Sequence, residues 1–338
     1  MRFIHTADWH IGKGRSYIPG ALDRTLSVID RIYRMAIDES IDTIVVSGDI
    51  FDSPNVEDAE RRALYSKIAA YDAAGIATLM ISGNHDRMTT STTTLDYLEA
   101  VTDAGGFASG TIVTQRTRLV VRHGYGFLLF DDAWDRMAPL LAVLKNGSFK
   151  PELKGLIVVA HQTIRDTVAA NGTTMQSGIR FEPDLHVDYY AFGDIHKCQK
   201  VKRAAWYSGA PLQTDFGEND ETGVLIVDTD EPEKPSFRTI SSVRLRTVSS
   251  SEPIPDDAIV RISYDEKPIL DQGVMPSNVV KFSWVQTEID LSDLRSSEGL
   301  LSGLDVVLQR RGLSEEDVET AMSIAKATAI QVGDGPTI

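Results

Sequence analysis

The sequence predicts an α/β fold in which two β-sheets pack face to face and helices cover the outside. Two observations lead to this prediction. Short β-branched segments alternate with segments of helical period in the first hundred residues, which is typical of parallel strands joined by crossover helices. Later apolar segments follow one another with few helices between them, which favours a second sheet packed on the first.

The first part of the chain alternates between strand and helix. In the first helical segment, apolar residues recur every three or four positions, as at Leu22, Leu26 and Ile29. A segment with acidic residues in its first turn and a glycine at its end forms the second predicted helix. The predicted strands are 2–8, 42–51 and 78–86, and the predicted helices are 21–40, 55–75 and 95–101.

Strand-like segments dominate the rest of the chain. The acidic stretch 228–236, which contains two prolines, predicts a surface turn, and a last helix is predicted over 314–330. We therefore predict one large domain over residues 1–244 and a small α+β accessory domain over 245–338. The strands predicted for the second sheet are 117–123, 125–132, 155–162, 189–196 and 222–230.

The composition is that of an ordinary globular protein, with 42% hydrophobic and 25% charged residues. No apolar run approaches the roughly 20 residues that span a bilayer, and the N-terminus lacks the apolar core of a signal peptide. A single cysteine, Cys198, excludes an internal disulfide framework and suits a reducing compartment. We expect a cytoplasmic protein without a membrane segment.

The net charge of −15 limits the kinds of partner. A protein that coats DNA by general attraction is usually basic. An acidic chain can still bind phosphate groups where positive charge is local or is supplied by metal ions. The charge therefore argues against a DNA-coating protein, and it leaves open an enzyme that meets nucleic acid at one site.

Five predicted strands are followed by aspartate, asparagine or histidine. A lone histidine beside an apolar run is more often a core or turn residue than a ligand, and we assign His5, His123 and His186 to that class. Five such strand ends together are different, because buried aspartate and histidine are costly unless they are compensated. Oxygen and imidazole ligands without thiolate suit Mn²⁺, Fe²⁺ or Zn²⁺, and two ions about 3.5–4 Å apart would hold a phosphate. The residues at these ends are Asp8, His10, Asp49, Asn84, His85, His161, Asp194 and His196.

The motifs around these residues resemble those of the calcineurin-like metallophosphoesterase superfamily. Their finer details are similar to the SbcD branch, whose members are nuclease subunits of a recombination and repair complex. The resemblance covers about residues 1–220. The motifs that carry it are HTADWHIG (5–12), SGDIFDSPN (47–55), SGNHDR (82–87), His161, GDIH (193–196) and YSGAPLQTDFGE (207–218).

The resemblance implies two divalent ions, with Mn²⁺ expected and Fe²⁺ or Mg²⁺ as alternatives. It further implies that His85 stabilises the transition state or protonates the leaving oxygen. The implied ligands are Asp8, His10 and His196 for one ion, Asn84, His161 and Asp194 for the other, and Asp49 as the bridge.

Position 194 departs from the family pattern, which has G-H-x-H where this chain has Gly-Asp-Ile-His. Aspartate binds Mn²⁺ as readily as imidazole does, so we expect the second ion to be retained. The alternative is that Asp194 turns away and leaves the second site weak or empty.

Basic residues follow several of the motifs. They suit contacts with a DNA backbone without base readout, although solvated loops also carry such charges. Trp9 is expected to pack beneath the site. The candidate DNA-binding residues are Lys13, Arg15, Arg87, Lys197, Lys200 and Lys202, with Arg203 beside them.

The leading hypothesis is a metal-dependent DNA nuclease, acting as an exonuclease on duplex ends and an endonuclease on single strands or hairpins. The resemblance implies an SbcC-type ABC ATPase partner with a long coiled coil, and a homodimer within a heterotetramer that works in recombination, repair and replication. Helices 21–40 and 55–75 are candidates for the dimer contact. The helix over 314–330 is a candidate for binding the ATPase, or it packs on its own domain. The alternatives are a small-molecule phosphodiesterase or phosphatase on the same fold, and a non-catalytic scaffold for the ATPase.

Overall fold

Parallel strands joined by helices form the first sheet, as the alternating pattern predicts. In this computed structural model the described residues are 1–89, 92–131, 134–145, 153–264 and 278–284. The strands are β1 (Arg2–Thr6), β2 (Thr43–Ser47), β3 (Ala77–Ile81) and β4 (Ile112–Thr114), and the helices between them are α1 (Ala21–Asp38), α2 (Asp58–Ala73) and α3 (Asp96–Asp103). Each strand pairs in parallel with the next, in the order β1-β2-β3-β4.

The second sheet contains six strands in the order β5-β6-β7-β8-β10-β9. Its middle strands are parallel, because β6 pairs with β7 and β7 with β8 in the same direction. A helix, α4 (Met137–Lys145), lies between β6 and β7 in the chain and is absent from the sequence-based prediction. The six strands are β5 (Arg118–Arg122), β6 (Tyr125–Phe130), β7 (Gly155–His161), β8 (Tyr189–Gly193), β9 (Gln199–Lys202) and β10 (Ala205–Tyr207).

One predicted strand lies in the other sheet. The segment 222–230 was expected in the second sheet, but β11 (Gly223–Asp228) pairs antiparallel with β1 and extends the first. It continues through the predicted acidic turn into β12 (Ser236–Thr239), the edge strand. The expectation was wrong because an apolar strand fits either sheet equally well, and only its long-range partner decides between them.

The two sheets pack against each other through one apolar layer. Phe3 and Val45 of the first sheet and Phe127, Val159 and Tyr189 of the second belong to the same buried cluster. The aromatic rings meet edge to face, with the centroids of Phe3 and Phe127 5.5 Å apart. The predicted α/β fold with two packed sheets is therefore confirmed.

The helices cover the outer face of the first sheet. Of the apolar positions that predict α1, Leu22 and Leu26 are only partly buried against the core. The buried side of the helix carries Val28, Ile29, Ile32 and Ala36. These residues share a core cluster with Trp9, which is fully buried. No helix among the described residues is long and apolar enough to cross a membrane.

The described residues from Met1 to Ile262 form one compact unit. A third sheet contains β13 (Arg244–Ser249), β14 (Ala258–Tyr264) and β15 (Val279–Trp284) in that order. The predicted domain boundary after residue 244 stays a prediction. The helix predicted over 314–330 lies outside the described residues.

Candidate metal centre

The predicted ligands come together at the carboxyl ends of five strands. Asp8 and His10 follow β1, Asp49 follows β2 and Asn84 follows β3. In the second sheet, His161 is the last residue of β7, and Asp194 and His196 follow β8. Parallel strands place their functional loops at one edge of a sheet, and the packing of the two sheets brings both edges together.

One group of ligand atoms gathers around His10 and His196. The Nε2 atoms of these two imidazoles lie 3.0 Å apart, and Asp8 completes a cluster in which all three ligand atoms lie within 4.8 Å of one another. Asp8 Oδ1 accepts the backbone N–H of Asp194, while Asp8 Oδ2 is buried and receives no hydrogen bond from the described residues. A buried carboxylate with an unsatisfied oxygen in a cluster with two imidazoles fits a cation.

A second group gathers around His161. Its Nε2 lies 2.9 Å from Asn84 Oδ1, 3.4 Å from Asp49 Oδ1 and 3.8 Å from Asp194 Oδ1. Asp49 faces both groups, because its Oδ2 is 3.7 Å from His10 Nε2. A carboxylate placed between two clusters of ligands is the arrangement that a bridged pair of ions requires.

Asp194 faces the second group of ligands. Its Oδ2 accepts a hydrogen bond of 2.6 Å from the Thr163 hydroxyl, and its Oδ1 is the atom directed toward His161. Of the two alternatives for position 194, the geometry favours the one in which the carboxylate faces the site.

Hydrogen bonds at the far side of two imidazoles fix which nitrogen faces the centre. His161 donates its Nδ1–H to the Ser47 carbonyl oxygen at 2.8 Å, and His196 donates its Nδ1–H to Glu218 Oε1 at 2.7 Å. In neutral rings the free lone pair then lies on Nε2, which faces the other ligands. Ligating histidines in metal sites are usually held in this way.

Burial shifts the pKa values of two predicted ligands, and nearby carboxylates shift that of a third. Burial raises the pKa of Asp8 to about 7. Burial by itself lowers the pKa of His161, but Asp49, Asp8 and Asp194 outweigh it and raise the pKa to about 10. Burial, assisted by His196, lowers the pKa of His10 to about 3, so this imidazole is neutral and free to ligate.

The backbone at the centre is held in an unusual conformation. Non-glycine residues with positive φ are uncommon; each costs about 1–3 kcal/mol and persists only where the surrounding structure imposes it. Such residues concentrate at functional sites. Four of the predicted ligands have positive φ: Asp8 (55°), His10 (44°), Asp49 (51°) and Asp194 (103°).

His85 lies beside the predicted ligands, and its ligand atom lies within 4.8 Å of those of His10 and Asp52. Its ring meets that of His10 edge to face with centroids 4.9 Å apart, and its Nε2 is 4.0 Å from Asp49 Oδ2. The Nδ1–H donates to the Asp52 carbonyl oxygen at 2.6 Å, which leaves Nε2 free for proton exchange. The side chain is 41% exposed, so a substrate can reach it.

Asp86 organises two of the loops without facing the ligands. Its carboxylate accepts backbone N–H groups of Ile50, Phe51 and Gly83, at 3.0, 2.9 and 2.9 Å. It is completely buried, and burial raises its pKa to about 6. This carboxylate ties the loop after β2 to the loop after β3, and so sets the positions of the ligands on both.

The comparisons with known proteins agree with this geometry. Residues 1–198 of the 338 match the family described as calcineurin-like phosphoesterase. The chain belongs to the calcineurin-like phosphoesterase family. The two packed sheets are therefore those of a phosphoesterase, as the motifs predicted.

Relatives of this phosphoesterase include the SbcD component of nuclease SbcCD. The chain is 27% identical to that component from Bacillus subtilis, over 88% of this chain and 81% of the relative. It is 34% identical to the SbcD component from Rhodobacter capsulatus over 25% of this chain and 22% of the relative. It is 22% identical to DNA double-strand break repair protein Mre11 of Methanopyrus kandleri over 66% and 51% of the two chains. The predicted SbcD-like character is confirmed.

Two cavities flank the centre of the phosphoesterase. One, of about 330 Å³, is lined by Asn84, Arg87 and His161, and the other, of about 310 Å³, by Met175 and His196. Thr163 and Asp194 lie in the wall of both. Space for a substrate therefore exists on both sides of Asp194.

The role of the candidate DNA-binding residues stays a prediction. Most of them pair with carboxylates of the chain itself, which reduces the positive charge that they offer to a phosphate. Lys200 is the exception, because its ammonium lies 5.7 Å from the centroid of the Trp206 ring. The pairs are Lys13–Asp52 (3.0 Å), Arg15–Glu60 (3.0 Å), Arg87–Asp131, Lys197–Asp220 (3.1 Å), Lys202–Glu182 (2.6 Å) and Arg203–Glu233 (3.2 Å).

The three histidines assigned no functional role lie away from the ligands. His5 is buried between Tyr189 and the backbone of Phe192, and the other two bond to aspartates on the surface. Several functional residues were missed by the sequence reasoning. Glu218, Asp86 and Asp52 lay within quoted motifs but were given no role there, and Thr163 had no signal of its own.

Proposed function

We propose that this phosphoesterase is a metal-dependent DNA nuclease that hydrolyses phosphodiesters at a centre of two divalent ions. The observation that carries the proposal is the meeting of ligands from both sheets in two groups that share Asp49. The donor set contains carboxylates, imidazoles and one amide, and no thiolate, which fits Mn²⁺, with Fe²⁺ or Mg²⁺ as alternatives.

The ligands divide between the ions by position. Asp8, His10 and His196 would hold the first ion, and Asp49 would bridge to the second. Asn84, His161 and Asp194 would hold the second ion, whose site then has more oxygen donors than the first. Two divalent ions in these positions supply charge that neutralises a phosphate and lowers the pKa of water.

His85 has the position of a general acid. Its Nδ1–H is committed to the Asp52 carbonyl oxygen, so the proton that it can give resides on Nε2. Nε2 lies on the side of the ring near Asp49, where a phosphate held by the centre would present its leaving oxygen. Protonated His85 donates this proton as the phosphodiester bond breaks, which makes the departing sugar hydroxyl neutral.

The names of the relatives support DNA as the substrate. SbcCD is named a nuclease, and Mre11 is named a DNA double-strand break repair protein. By analogy the chain would act as an exonuclease on duplex ends and an endonuclease on single strands or hairpins. It would form a homodimer and work with an SbcC-type ABC ATPase in recombination, repair and replication in the cytoplasm.

Digestion of labelled DNA by the purified chain tests the proposal. We expect Mn²⁺ to support cleavage of duplex and single-stranded substrates, and EDTA to abolish it. His85→Ala should lower kcat by about 10²–10⁴-fold, because it removes the proton donor. Asp194→Ala should lower Mn²⁺ stoichiometry from two ions to one in a calorimetric titration.

The outcomes separate the alternatives. Hydrolysis of a small phosphodiester without cleavage of DNA would favour a small-molecule phosphodiesterase. Folded protein that cuts no substrate with any divalent metal, with or without an ATPase partner, would favour a scaffold. Full activity and two bound ions in Asp194→Ala would show that position 194 is not a ligand.

A further inference from the structure

A cavity of about 580 Å³ lies between the segment that follows Thr163 and strand β9. Four cations line it, and they are opposed by only two acidic residues, Asp166 and Glu182. This local excess of positive charge stands out in a chain whose net charge is −15. The four cations are Arg165, Arg180, Lys200 and Lys202.

Three of these cations have no carboxylate partner among the described residues. Lys202 pairs with Glu182, but no described acid forms an ion pair with Arg165, Arg180 or Lys200. The Arg165 Nε–H is also buried and finds no acceptor in the described part of the chain. Cations without a carboxylate partner in the wall of one cavity favour a ligand with anionic acceptor oxygens.

We propose that this cavity binds a phosphodiester group of the substrate strand other than the one that is cleaved. The inference rests on the proposed nuclease function and adds a second point of attachment to it. Guanidinium groups bind phosphate through two parallel N–H···O bonds, and a lysine ammonium adds a point charge. Arg165 and Arg180 are the candidates for such bonds, and Lys200 supplies additional charge.

The cavity is close enough to the metal centre to bind the same DNA strand. Arg165 is four residues from the ligand His161, which limits their separation to about 14 Å at 3.6 Å per residue. Tyr207 holds the segment between them, because its hydroxyl donates to the Gln162 carbonyl oxygen at 2.6 Å and accepts the N–H of Ile164 at 3.0 Å. A DNA strand advances about 3.4 Å per nucleotide, so the phosphate bound in the cavity would lie within about four nucleotides of the cleaved bond.

Equilibrium binding of labelled single-stranded DNA tests the inference. Fluorescence anisotropy is recorded with Ca²⁺ in place of a transition metal, over a salt range of about 50 to 200 mM. We expect Arg165→Ala, Arg180→Ala and Lys200→Ala each to weaken binding about 10-fold and to reduce the salt slope by about 0.7 to 1, because each removes one phosphate contact. Arg165→Lys should recover part of the affinity.

Arg238→Ala is the matched control. Arg238 is a surface cation of strand β12 that pairs with Glu39 at 3.9 Å, and its removal should leave affinity and salt slope unchanged. Thermal unfolding of each variant shows that it is folded. Folded cavity variants with wild-type affinity and salt slope would overturn the inference.

Inorganic phosphate distinguishes a nucleic-acid phosphate from a free one. If the cavity variants lose saturable phosphate binding and bind DNA as the wild type does, the cavity holds a free phosphate and the inference is wrong. The assay does not depend on cleavage. Failure of the wild type to cut DNA would therefore count against the proposed nuclease, and unchanged DNA affinity in the variants would count against this cavity alone.

Discussion

Glu218 holds the imidazole of His196 in one orientation toward the metal centre. Its carboxylate accepts the Nδ1–H of His196, and it is held in place by the N–H and the hydroxyl of Thr214, at 2.7 and 2.8 Å. Burial would raise the pKa of Glu218, but the neighbouring His196 and these donors hold it below the usual value. Glu218 therefore stays ionised near neutral pH and keeps His196 Nε2 directed at the ligands.

Glu218→Gln is expected to weaken metal binding without removing any ligand. The amide can no longer accept a charge-assisted bond from His196, so the imidazole loses its fixed tautomer and orientation. The loss of such a partner typically costs about 10–100-fold in metal affinity. Calorimetric titration with Mn²⁺ measures the change.

Asp220→Asn is the control for this substitution. Asp220 pairs with Lys197 at 3.1 Å at the surface and has no contact with His196. The control should bind Mn²⁺ as the wild type does. Equal affinities for wild type and Glu218→Gln would show that Glu218 does not position His196.

At the scale of the elements, the end of β8 passes close to β2 of the other sheet. A Cβ atom at Gly193 would lie 2.0 Å from the Ser47 carbonyl oxygen of β2 and 2.8 Å from His161 Nδ1. Both neighbours are fixed, because that carbonyl oxygen accepts the hydrogen bond that orients His161. Glycine at this position lets the strands come together behind the centre.

Gly193→Ala should destabilise the fold by about 3 kcal/mol or more, because the added methyl group has nowhere to go unless the sheets separate. Urea unfolding monitored by circular dichroism measures the loss. Gly217→Ala is the control, since its added Cβ would lie 3.5 Å from Asp215 Oδ1 in ordinary contact. A loss no larger than that of the control would contradict the close approach of the strands.

The same elements show what the sequence could predict. The periodic apolar face of α1 and the buried strands β1 to β3 are local patterns, so these elements and the candidate ligands after the strands could be recognised from residue order. The placement of β11 depends on a partner more than two hundred residues away, and no local pattern specifies it. Glu218 and Thr163 lie in irregular segments and act through hydrogen bonds, which leave no periodic signal.

At the scale of the whole molecule, His5 links the two sheets through a polar contact inside the apolar layer. It lies in β1 of the first sheet, and its ring nitrogens contact the Tyr189 hydroxyl at 3.0 Å and the Phe192 carbonyl oxygen at 3.2 Å, both in β8. The neutral ring satisfies both contacts, with Nε2–H donating to the carbonyl oxygen. Burial lowers the pKa of His5 to about 3.

This buried histidine should make the fold sensitive to acid. Below the unfolded pKa of about 6.5, the unfolded chain binds a proton that the folded chain excludes. The contribution of His5 to the free energy of unfolding is therefore fully present above that pH, and it falls by about 1.4 kcal/mol per pH unit toward the folded pKa. Because of His5, the free energy of unfolding should be about 2 kcal/mol lower at pH 5 than at pH 7.5.

His5→Gln tests this contribution because glutamine can make similar hydrogen bonds and does not titrate. Urea unfolding in EDTA at both pH values gives the pH dependence of each protein, and groups common to both cancel in the comparison. The variant should lose about 2 kcal/mol less than the wild type between the two pH values. Equal losses would mean that His5 is not the group responsible.

The division of the ligands between the sheets has a consequence for the energetics of the whole domain. Each proposed ion draws on residues after β1 to β3 and on residues after β7 or β8, so neither sheet carries a complete site. Metal binding then stabilises the association of the two sheets, and association of the sheets strengthens metal binding by the same free energy. Metal affinity therefore depends on how well the two sheets pack against each other. Substitutions in the apolar layer between the sheets should change the metal affinity although they contact no ligand.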